Sequence, residues 1–416
     1  MNNKTLAIIG GGASGMAAAI EAARVCKVIG CNTNIVIYER LPKVGKKILA
    51  TGNGRCNILN SGEILDHFYG NKKLIKSVFE SYSTRSNIDF FKSMGLLLTQ
   101  EADGRLYPMS LQASSVLDAL RFEIKKLNIE TICDTPINNI KRTKGKFILN
   151  DEFTADSVII AGGGKASPVQ GSDGSCYSLI KSLGIKVNPV YPALTGIVLK
   201  KRNKSLKGTR AHGEIMIVDN GKVIASDCGE IQYTDYGISG IPAMNISRFV
   251  SEHFAFNKKG KILMSVNVLP ELSYDDIFSY IIERKKSNPD LLSEDLLTGL
   301  MPKKLGMAKL NSANIPTDKK ISELTKNETA VLTEILNSEI FEINGTLGFD
   351  NAQVTAGGTA SSFINNETLC CNTLNGLFLC GEILDADAQC GGYNLSWAWS
   401  SGRLAGKSAI NYLTEK

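Results

Sequence analysis

The chain has 416 residues, 43% hydrophobic and 21% charged, and its 47 Lys and Arg against 41 Asp and Glu give a net charge of +6. This composition is typical of a folded globular protein, and so small a positive excess does not by itself indicate a nucleic-acid partner. Only three histidines occur, none paired at metal-ligand spacing, so we expect no metal site.

The apolar segments are short, and none approaches the roughly 18 residues that a membrane-spanning helix needs. The chain starts with Met1-Asn2-Asn3-Lys4 and shows no signal peptide before its first apolar run. We therefore expect a cytoplasmic protein without a membrane segment, in which the ten cysteines are reduced.

The first forty residues predict a complete βαβ unit. Residues 5–9 form a short buried strand, residues 13–26 an alanine-rich helix, and residues 34–39 a second buried strand. The turn between strand and helix carries the glycine pattern Gly10-x-Gly12-x-x-Gly15. Glycines in this pattern permit a tight turn and let a pyrophosphate approach the helix N-terminus.

Glu39 closes the second strand of this unit. A carboxylate in that position accepts hydrogen bonds from both ribose hydroxyls of an adenosine, and it would repel a 2′-phosphate. The unit therefore predicts a dinucleotide site that disfavours NADP.

The next elements extend this domain. Helical composition covers residues 71–94 and 113–127, and short strands are expected at 129–133 and 146–149. A further buried strand over residues 157–161 leads into Gly162-Gly163-Gly164.

After Pro189 the pattern changes to short β-type runs over residues 196–266, and then to charged helical segments over 273–340. We predict an α/β fold with a Rossmann-type domain, interrupted by a β-barrel-like insertion that carries a small helical subdomain. The expected boundaries are 1–190 for the first part of the Rossmann-type domain, 191–344 for the insertion with helices over about 271–340, and 345–416 for the second part.

The C-terminal part favours FAD over NAD. A buried strand at 377–380 precedes Gly381, Glu382 and Asp385, and a glycine pair precedes a helix over 395–412. In two-part FAD folds a late strand supplies an acid to the ribityl chain, and the next helix N-terminus stabilises negative charge on the flavin.

Several longer strings resemble the BaiN/YhiN-like flavoproteins, also called aminoacetone oxidase family FAD-binding enzymes, of the glutathione-reductase-type FAD superfamily. The resemblance extends over essentially the whole chain. The strings are GGGASGMAA from Gly10, GKKILATGNGRCN from Gly45, YPMS from Tyr107, YTDYGISG from Tyr233, VTAGG from Val354 and GGYNLSWAWSSG from Gly391. The resemblance implies non-covalent FAD and oxidoreductase chemistry.

The expected cofactor contacts come from the glycine turn, the TGNGRCN loop and the C-terminal acid and glycine region. They are Gly10, Gly12, Ala13, Ser14, Gly15, Glu39, Arg40, Lys47, Thr51, Gly52, Asn53, Cys56, Asn57, Ile137, Gly162, Gly163, Gly381, Glu382, Asp385, Gly392, Tyr393, Asn394 and Leu395.

No catalytic residue is assigned, but Tyr233, Asp235 and Tyr236 form the densest polar set that could exchange a proton beside a flavin. Cys56 has no partner at C-x2-C or C-x4-C spacing, so dithiol exchange is not expected. No second GxGxxG occurs, which leaves open whether NAD(P)H docks transiently as the electron donor.

The sequence is compatible with three alternative functions. The first is an FAD-dependent oxidoreductase that transfers hydride between FAD and a small organic substrate, with no nucleic-acid or membrane partner. The second is a flavoprotein of tRNA modification, suggested by the basic run between Lys200 and Arg210, and the third is a flavin-binding sensor without turnover. The oligomeric state is not indicated.

Overall fold

The structure is a computed structural model that describes residues 4–101, 103–256 and 258–415. The chain forms two compact units, one built from the residues up to Val190 together with those from Gln353 onward, and one from Tyr191–Ala352.

Buried aliphatic strands and amphipathic helices build the N-terminal part of the first unit. Its strands are β1 (Lys4–Ile9), β2 (Thr33–Tyr38), β3 (Leu59–Asn60), β4 (Phe68–Gly70), β5 (Leu98–Gln100), β6 (Arg105–Pro108), β7 (Glu130–Ile132), β8 (Ile140–Thr143), β9 (Lys146–Leu149), β10 (Phe153–Ala155) and β11 (Ser157–Ile160). Its helices are α1 (Ala13–Ile29), α2 (Lys72–Ser81), α3 (Thr84–Ser93), α4 (Ala113–Lys126) and α5 (Ser175–Ser182).

The helical stretch expected at 71–94 is two helices with separate caps. Asn71 accepts hydrogen bonds from the first turn of α2, and Ser83 accepts one from Ser86 N–H at 3.3 Å at the start of α3. A side-chain oxygen at the N-cap satisfies backbone donors that the helix leaves free, and it marks where a new helix begins.

The second unit contains strands and helices in chain order. They are β12 (Tyr191–Ala193), β13 (Ile197–Leu199), β14 (Arg210–Asp219), β15 (Lys222–Tyr233), β16 (Gly237–Ser239), β17 (Ile262–Asn267) and β18 (Glu339–Thr346), with helices α6 (Ile241–Ala255), α7 (Tyr274–Ser287), α8 (Lys303–Ser312) and α9 (Lys326–Asn337). The last part of the chain returns to the first unit as β19 (Val354–Ala356), β20 (Leu377–Leu379), β21 (Ala386–Ala388) and α10 (Tyr393–Thr414).

A five-stranded parallel sheet in the order β20-β11-β1-β2-β7 is the centre of the first unit. The sheet therefore takes strands from both ends of the chain. Helices α1 and α10 pack closely on each other, since a Cβ on Gly402 would lie 2.3 Å from Ser14 O and one on Gly406 would lie 2.2 Å from Ala18 O. The two helices therefore run parallel, and the first turn of α1 packs against the middle of α10, not against its N-terminus.

A closed six-stranded antiparallel barrel in the order β13-β16-β15-β14-β17-β18 is the centre of the second unit. Along β14 the buried Ile215 and Ile217 alternate with partly exposed residues, as expected of a strand with one face in a core. Helix α9 packs on β17 and β18 and contacts α7 and α8. The predicted α/β fold with a barrel insertion and a helical subdomain is confirmed.

None of the helices in the described part of the chain is long and apolar enough to span a bilayer.

Candidate functional site

The turn between β1 and α1 leaves space at a helix N-terminus. A Cβ on Gly15 would lie 1.9 Å from Gly10 O, so the fold itself requires glycine there. A Cβ on Gly12 would meet no atom within 4 Å. Gly12 is the N-cap of α1, and Ala13 and Ser14 follow in a first turn that has neither a side-chain cap nor an acid. Free N–H groups beside open space are a geometry that can bind a phosphate.

Glu39 lies directly beside this turn and is only 7% exposed. Its Oε2 accepts from Gly11 N–H at 2.7 Å, and its Oε1 accepts from Leu41 N–H at 2.9 Å. Each carboxylate oxygen keeps a further lone pair, which can accept from a ribose hydroxyl. Thr135 N–H donates to Glu39 O at 2.9 Å. This hydrogen bond holds the segment that precedes the buried Ile137 against the end of β2.

Arg40, the next residue, forms an ion pair with Asp173. The same pair holds the pKa of Asp173 below its ordinary value. Arg40 is thus engaged with a carboxylate of the same unit.

The TGNGRCN loop begins in the 3-10 segment Lys46–Gly54, departs from helical geometry at Thr51, and ends against α10. Gly52 and Asn53 have left-handed backbones with φ of 53° and 54°, and Thr51 Oγ1 donates to Ile48 O at 2.6 Å. The Asn57 amide oxygen, oriented toward α10, accepts from Gly392 N–H at 3.1 Å. The loop is thereby attached to the N-cap of the last helix.

The N-terminus of α10 resembles that of α1. Its N-cap is Gly392, its first residues are Tyr393, Asn394 and Leu395, and it has neither a side-chain cap nor an acid in its first turn. The Asn394 side chain orients the preceding segment, because its Oδ1 accepts from Ala388 N–H at 2.9 Å and its Nδ2 donates to Ala388 O at 2.8 Å. The free N–H groups of this turn can stabilise negative charge on a ligand.

Gly381 lies between the two helix starts. A Cβ there would be 2.4 Å from Ser14 Oγ, and Trp397 Nε1 donates to Gly381 O at 3.0 Å. The glycines after β11 are equally crowded, since a Cβ on Gly162 would lie 2.1 Å from Cys176 Sγ and one on Gly163 would lie 2.7 Å from Ser172 Oγ. Small residues at these positions let the loops converge around the helix N-termini.

Glu382 and Asp385, the two acids expected to contact the cofactor, each have a partner within the protein. Glu382 pairs with Lys47, its Oε2 lying 3.0 Å from Lys47 Nζ, and Asp385 Oδ2 accepts from Asn188 Nδ2 at 2.7 Å. Among the expected residues, Glu39 and Gly162 thus lie beside the glycine turn that precedes α1, and Asn57 and Asn394 lie at the start of α10.

Two polar residues near this region were not predicted. Thr355 accepts through Oγ1 from Lys165 N–H at 2.7 Å, and His67 Nδ1 lies 2.7 Å from Gln389 Oε1 while its ring stacks on Tyr393 at 4.3 Å. Thr355 is part of the VTAGG string that carries the family resemblance, so a signal for it existed. His67 has no motif around it, and no pattern in the sequence indicates its partner.

The three catalytic candidates belong to the barrel unit and have different surroundings. Tyr233 ends β15 with its side chain in the barrel core, and its buried hydroxyl has no hydrogen-bond partner among the described residues. Asp235 is exposed and pairs with Lys207 at 2.6 Å, which lowers the pKa of its carboxyl. Tyr236 is half-buried, and a Cβ on Gly196 would lie 2.6 Å from its hydroxyl oxygen, so the phenol lies against that backbone.

Cys56 is fully buried, and burial raises the pKa of its thiol to about 11. At neutral pH it is a thiol, not the thiolate that reacts with disulfides or metals. None of the ten cysteines is in a disulfide, and no group of three or more metal-ligand side chains occurs among the described residues.

We therefore expect iodoacetamide at neutral pH to alkylate Cys56 far more slowly than the exposed Cys228. Peptide mass spectrometry over a time course measures both rates in one sample. Cys56→Ser should retain the bound cofactor and its two reducing equivalents. Early labelling of Cys56, or a mutant that accepts fewer electrons per cofactor, would contradict this description.

The sequence matches the family described as HI0933-like protein Rossmann domain over residues 4–408. It is 37% identical over 409 residues to the 3-dehydro-bile acid delta(4,6)-reductase of Clostridium scindens, with 97% of this chain and 98% of that protein covered. It is 26% identical over 407 residues to the ribosomal RNA dihydrouridine synthase of Haemophilus influenzae, with 95% of each covered.

Among solved structures, 3-ketosteroid delta1-dehydrogenase from Sterolibacterium denitrificans is similar with 12% identity and a TM-score of 0.48. The comparison covers 99% of this chain and 100% of that one.

Proposed function

The chain belongs to the HI0933-like Rossmann-domain family and is an FAD-dependent oxidoreductase, and from that premise we propose a substrate class for it. The proposed reaction reduces a carbon–carbon double bond conjugated to a carbonyl group in a small organic molecule. NAD(P)H is the proposed electron donor. The observation that carries this proposal is the 37% identity, over nearly the full length of both chains, to a reductase of such a double bond.

The residues of the first unit fit non-covalently bound FAD. Open space at Gly12 and the uncapped start of α1 suit the diphosphate, and the Glu39 carboxylate suits the adenosine ribose. The uncapped start of α10 suits an electron-rich ring edge. When bound, FAD supplies a two-electron hydride carrier.

Reduction of a conjugated alkene adds a hydride to the β-carbon and a proton to the α-carbon. The proton must come from a protein side chain or from solvent. We propose Tyr236 as the donor, because its phenol O–H can donate a proton and the side chain is only half-buried.

RNA is the second candidate substrate class. Its support is the similarity to two ribosomal RNA dihydrouridine synthases, each 26% identical, since the uracil ring also holds a double bond conjugated to a carbonyl. Against it, three of the six basic residues between Lys200 and Arg210 pair with acids of the same unit, Lys207 doing so with Asp235. Lys200 pairs with Glu342 at 2.5 Å, and Arg210 pairs with Glu230 at 3.0 Å.

A competition under turnover separates the two classes. The purified protein is supplied with NADH or NADPH, a 3-oxo-4-ene steroid and unmodified ribosomal RNA, and both products are measured by mass spectrometry. We expect saturated ketone to form with RNA unchanged. Dihydrouridine in the RNA, with the steroid unreacted, would assign the chain to RNA modification.

Glu39→Ala is expected to weaken FAD binding strongly. Two charge-assisted hydrogen bonds to the ribose would be lost, each contributing about 1.5–3 kcal/mol, which corresponds to at least about 100-fold in Kd. Titration of FAD into apo-protein measures this. The exposed Glu130 on the neighbouring strand β7 provides the control Glu130→Ala, which should bind FAD normally. An unchanged Kd for Glu39→Ala would remove Glu39 from the site.

A further inference from the structure

Lys47 lies four residues before the TGNGRCN loop, in the 3-10 segment Lys46–Gly54, and its ammonium contacts residues that are distant in sequence. Nζ donates to Glu382 Oε2 at 3.0 Å and to Ala166 O at 3.2 Å. The side chains of Lys47 and Glu382 are only 28% and 21% exposed. Two of the three donors of this ammonium are therefore used within the protein.

Glu382 is bonded through both of its carboxylate oxygens. While Oε2 pairs with Lys47, Oε1 accepts from Thr355 N–H at 2.7 Å. The buried Tyr177 hydroxyl also donates to the backbone oxygen of Glu382 at 3.4 Å. The carboxylate thus fixes strand β19 and the ammonium of Lys47 at the same time.

Thr355 extends the network to the glycine turn after β11. Its Oγ1 accepts from Lys165 N–H at 2.7 Å and from Ala166 N–H at 3.0 Å. A Cβ on Gly164 would lie 2.3 Å from Thr355 Oγ1 and 2.9 Å from Glu382 Oε1, so this turn packs directly on the pair. Four segments distant in sequence meet here, at residues 46–54, 162–166, 354–356 and 381–383.

Three of these segments contain expected FAD contacts other than the pair itself, namely Thr51, Gly52, Asn53, Gly162, Gly163 and Gly381. Since the start of α1 and Glu39 are expected to hold the diphosphate and the adenosine, we assign these contacts to the riboflavin half of the cofactor. A single substitution in a half-buried ion pair is destabilising, because removing one partner leaves the charge of the other uncompensated. Removing both partners avoids that penalty, so the effects of the two single changes should not add.

We propose that Lys47 and Glu382 are a positioning pair that joins these four segments into one preformed wall of the FAD site, and that neither residue is a primary ligand of the cofactor. Lys47 then acts on FAD through the TGNG loop, and Glu382 acts through β19 and the turn at 162–166. The proposal concerns cofactor binding and is independent of the substrate class.

A double-mutant cycle in the full-length protein tests the pair. Lys47→Met and Glu382→Gln are each expected to raise the Kd of FAD by about 10- to 100-fold, and the double variant no more than about threefold beyond the weaker binder. Lys47→Arg should restore the Kd and the resolved shape of the bound flavin absorbance. Lys46→Met is the matched control, because Lys46 is exposed and donates to Val169 O, outside the four segments, and this variant should bind FAD normally.

ADP distinguishes positioning from direct contact, because it carries both phosphates of FAD without the riboflavin. The positioning pair predicts that Lys47→Met binds ADP as the unchanged protein does, since α1 and Glu39 are intact. Weaker ADP binding, single effects that multiply in the double variant, or an unchanged Kd of FAD in Lys47→Met would each overturn the proposal. Thermal unfolding of the apo-proteins separates any loss of fold from loss of binding.

Discussion

Gly12→Val is expected to give a folded protein that no longer binds FAD. A Cβ at this position meets no protein atom within 4 Å, so the apo-protein has room for a larger side chain. The same side chain would fill the space at the N-terminus of α1 where the diphosphate is expected. Loss of several hydrogen bonds to phosphate, at about 1.5–3 kcal/mol each, predicts a Kd at least about 100-fold higher.

The matched variant is Gly15→Ala, three residues further on. Its Cβ would lie 1.9 Å from Gly10 O, so we expect this change to lower the unfolding temperature of the apo-protein itself. FAD titration and thermal unfolding of both apo-variants separate a cofactor contact from a packing requirement. Normal FAD binding by Gly12→Val would place the diphosphate elsewhere.

Tyr236→Phe is expected to slow the reaction by about 10²- to 10⁴-fold, the usual range for loss of a proton donor. The measurement is the rate at which substrate reoxidises the reduced holoenzyme in an anaerobic stopped-flow experiment. FAD affinity should be nearly unchanged, because the expected FAD contacts lie in the first unit. A large loss of FAD binding would make Tyr236 a cofactor contact.

The neighbouring candidates provide the controls. Burial raises the pKa of Tyr233, and its hydroxyl makes no hydrogen bond in the described structure, so Tyr233→Phe should leave both rate and fold intact. Lys207 lowers the pKa of the exposed Asp235, so this carboxylate is ionised at neutral pH and has no proton to give. A rate loss in either control equal to that of Tyr236→Phe would reassign the donor.

Local patterns in the sequence predict the first βαβ unit well. Buried strands, a glycine turn and a terminal acid lie within forty residues, and the structure places Glu39 2.7 Å from Gly11 N. The sequence also predicts that the insertion is barrel-like, because short alternating strands separated by turns are a local signal as well.

Pairings between distant segments were not predictable from the sequence. Lys47 and Glu382 are 335 positions apart, and both were expected to contact the cofactor directly. Asn57 and Gly392 also meet only after the sheet takes strands from both ends of the chain. No spacing rule links such residues, since their proximity depends on the tertiary fold. The ion pair between Asp235 and Lys207 is another such case.

One half-reaction tests the central claim most directly. The holoenzyme is reduced anaerobically with one equivalent of NAD(P)H and then mixed with a 3-oxo-4-ene steroid in the absence of oxygen. We expect the oxidised flavin absorbance to return fully, with one saturated ketone formed per FAD. A holoenzyme that stays reduced with this and other conjugated carbonyl compounds, but is reoxidised by uridine-containing RNA, would contradict the proposed substrate class.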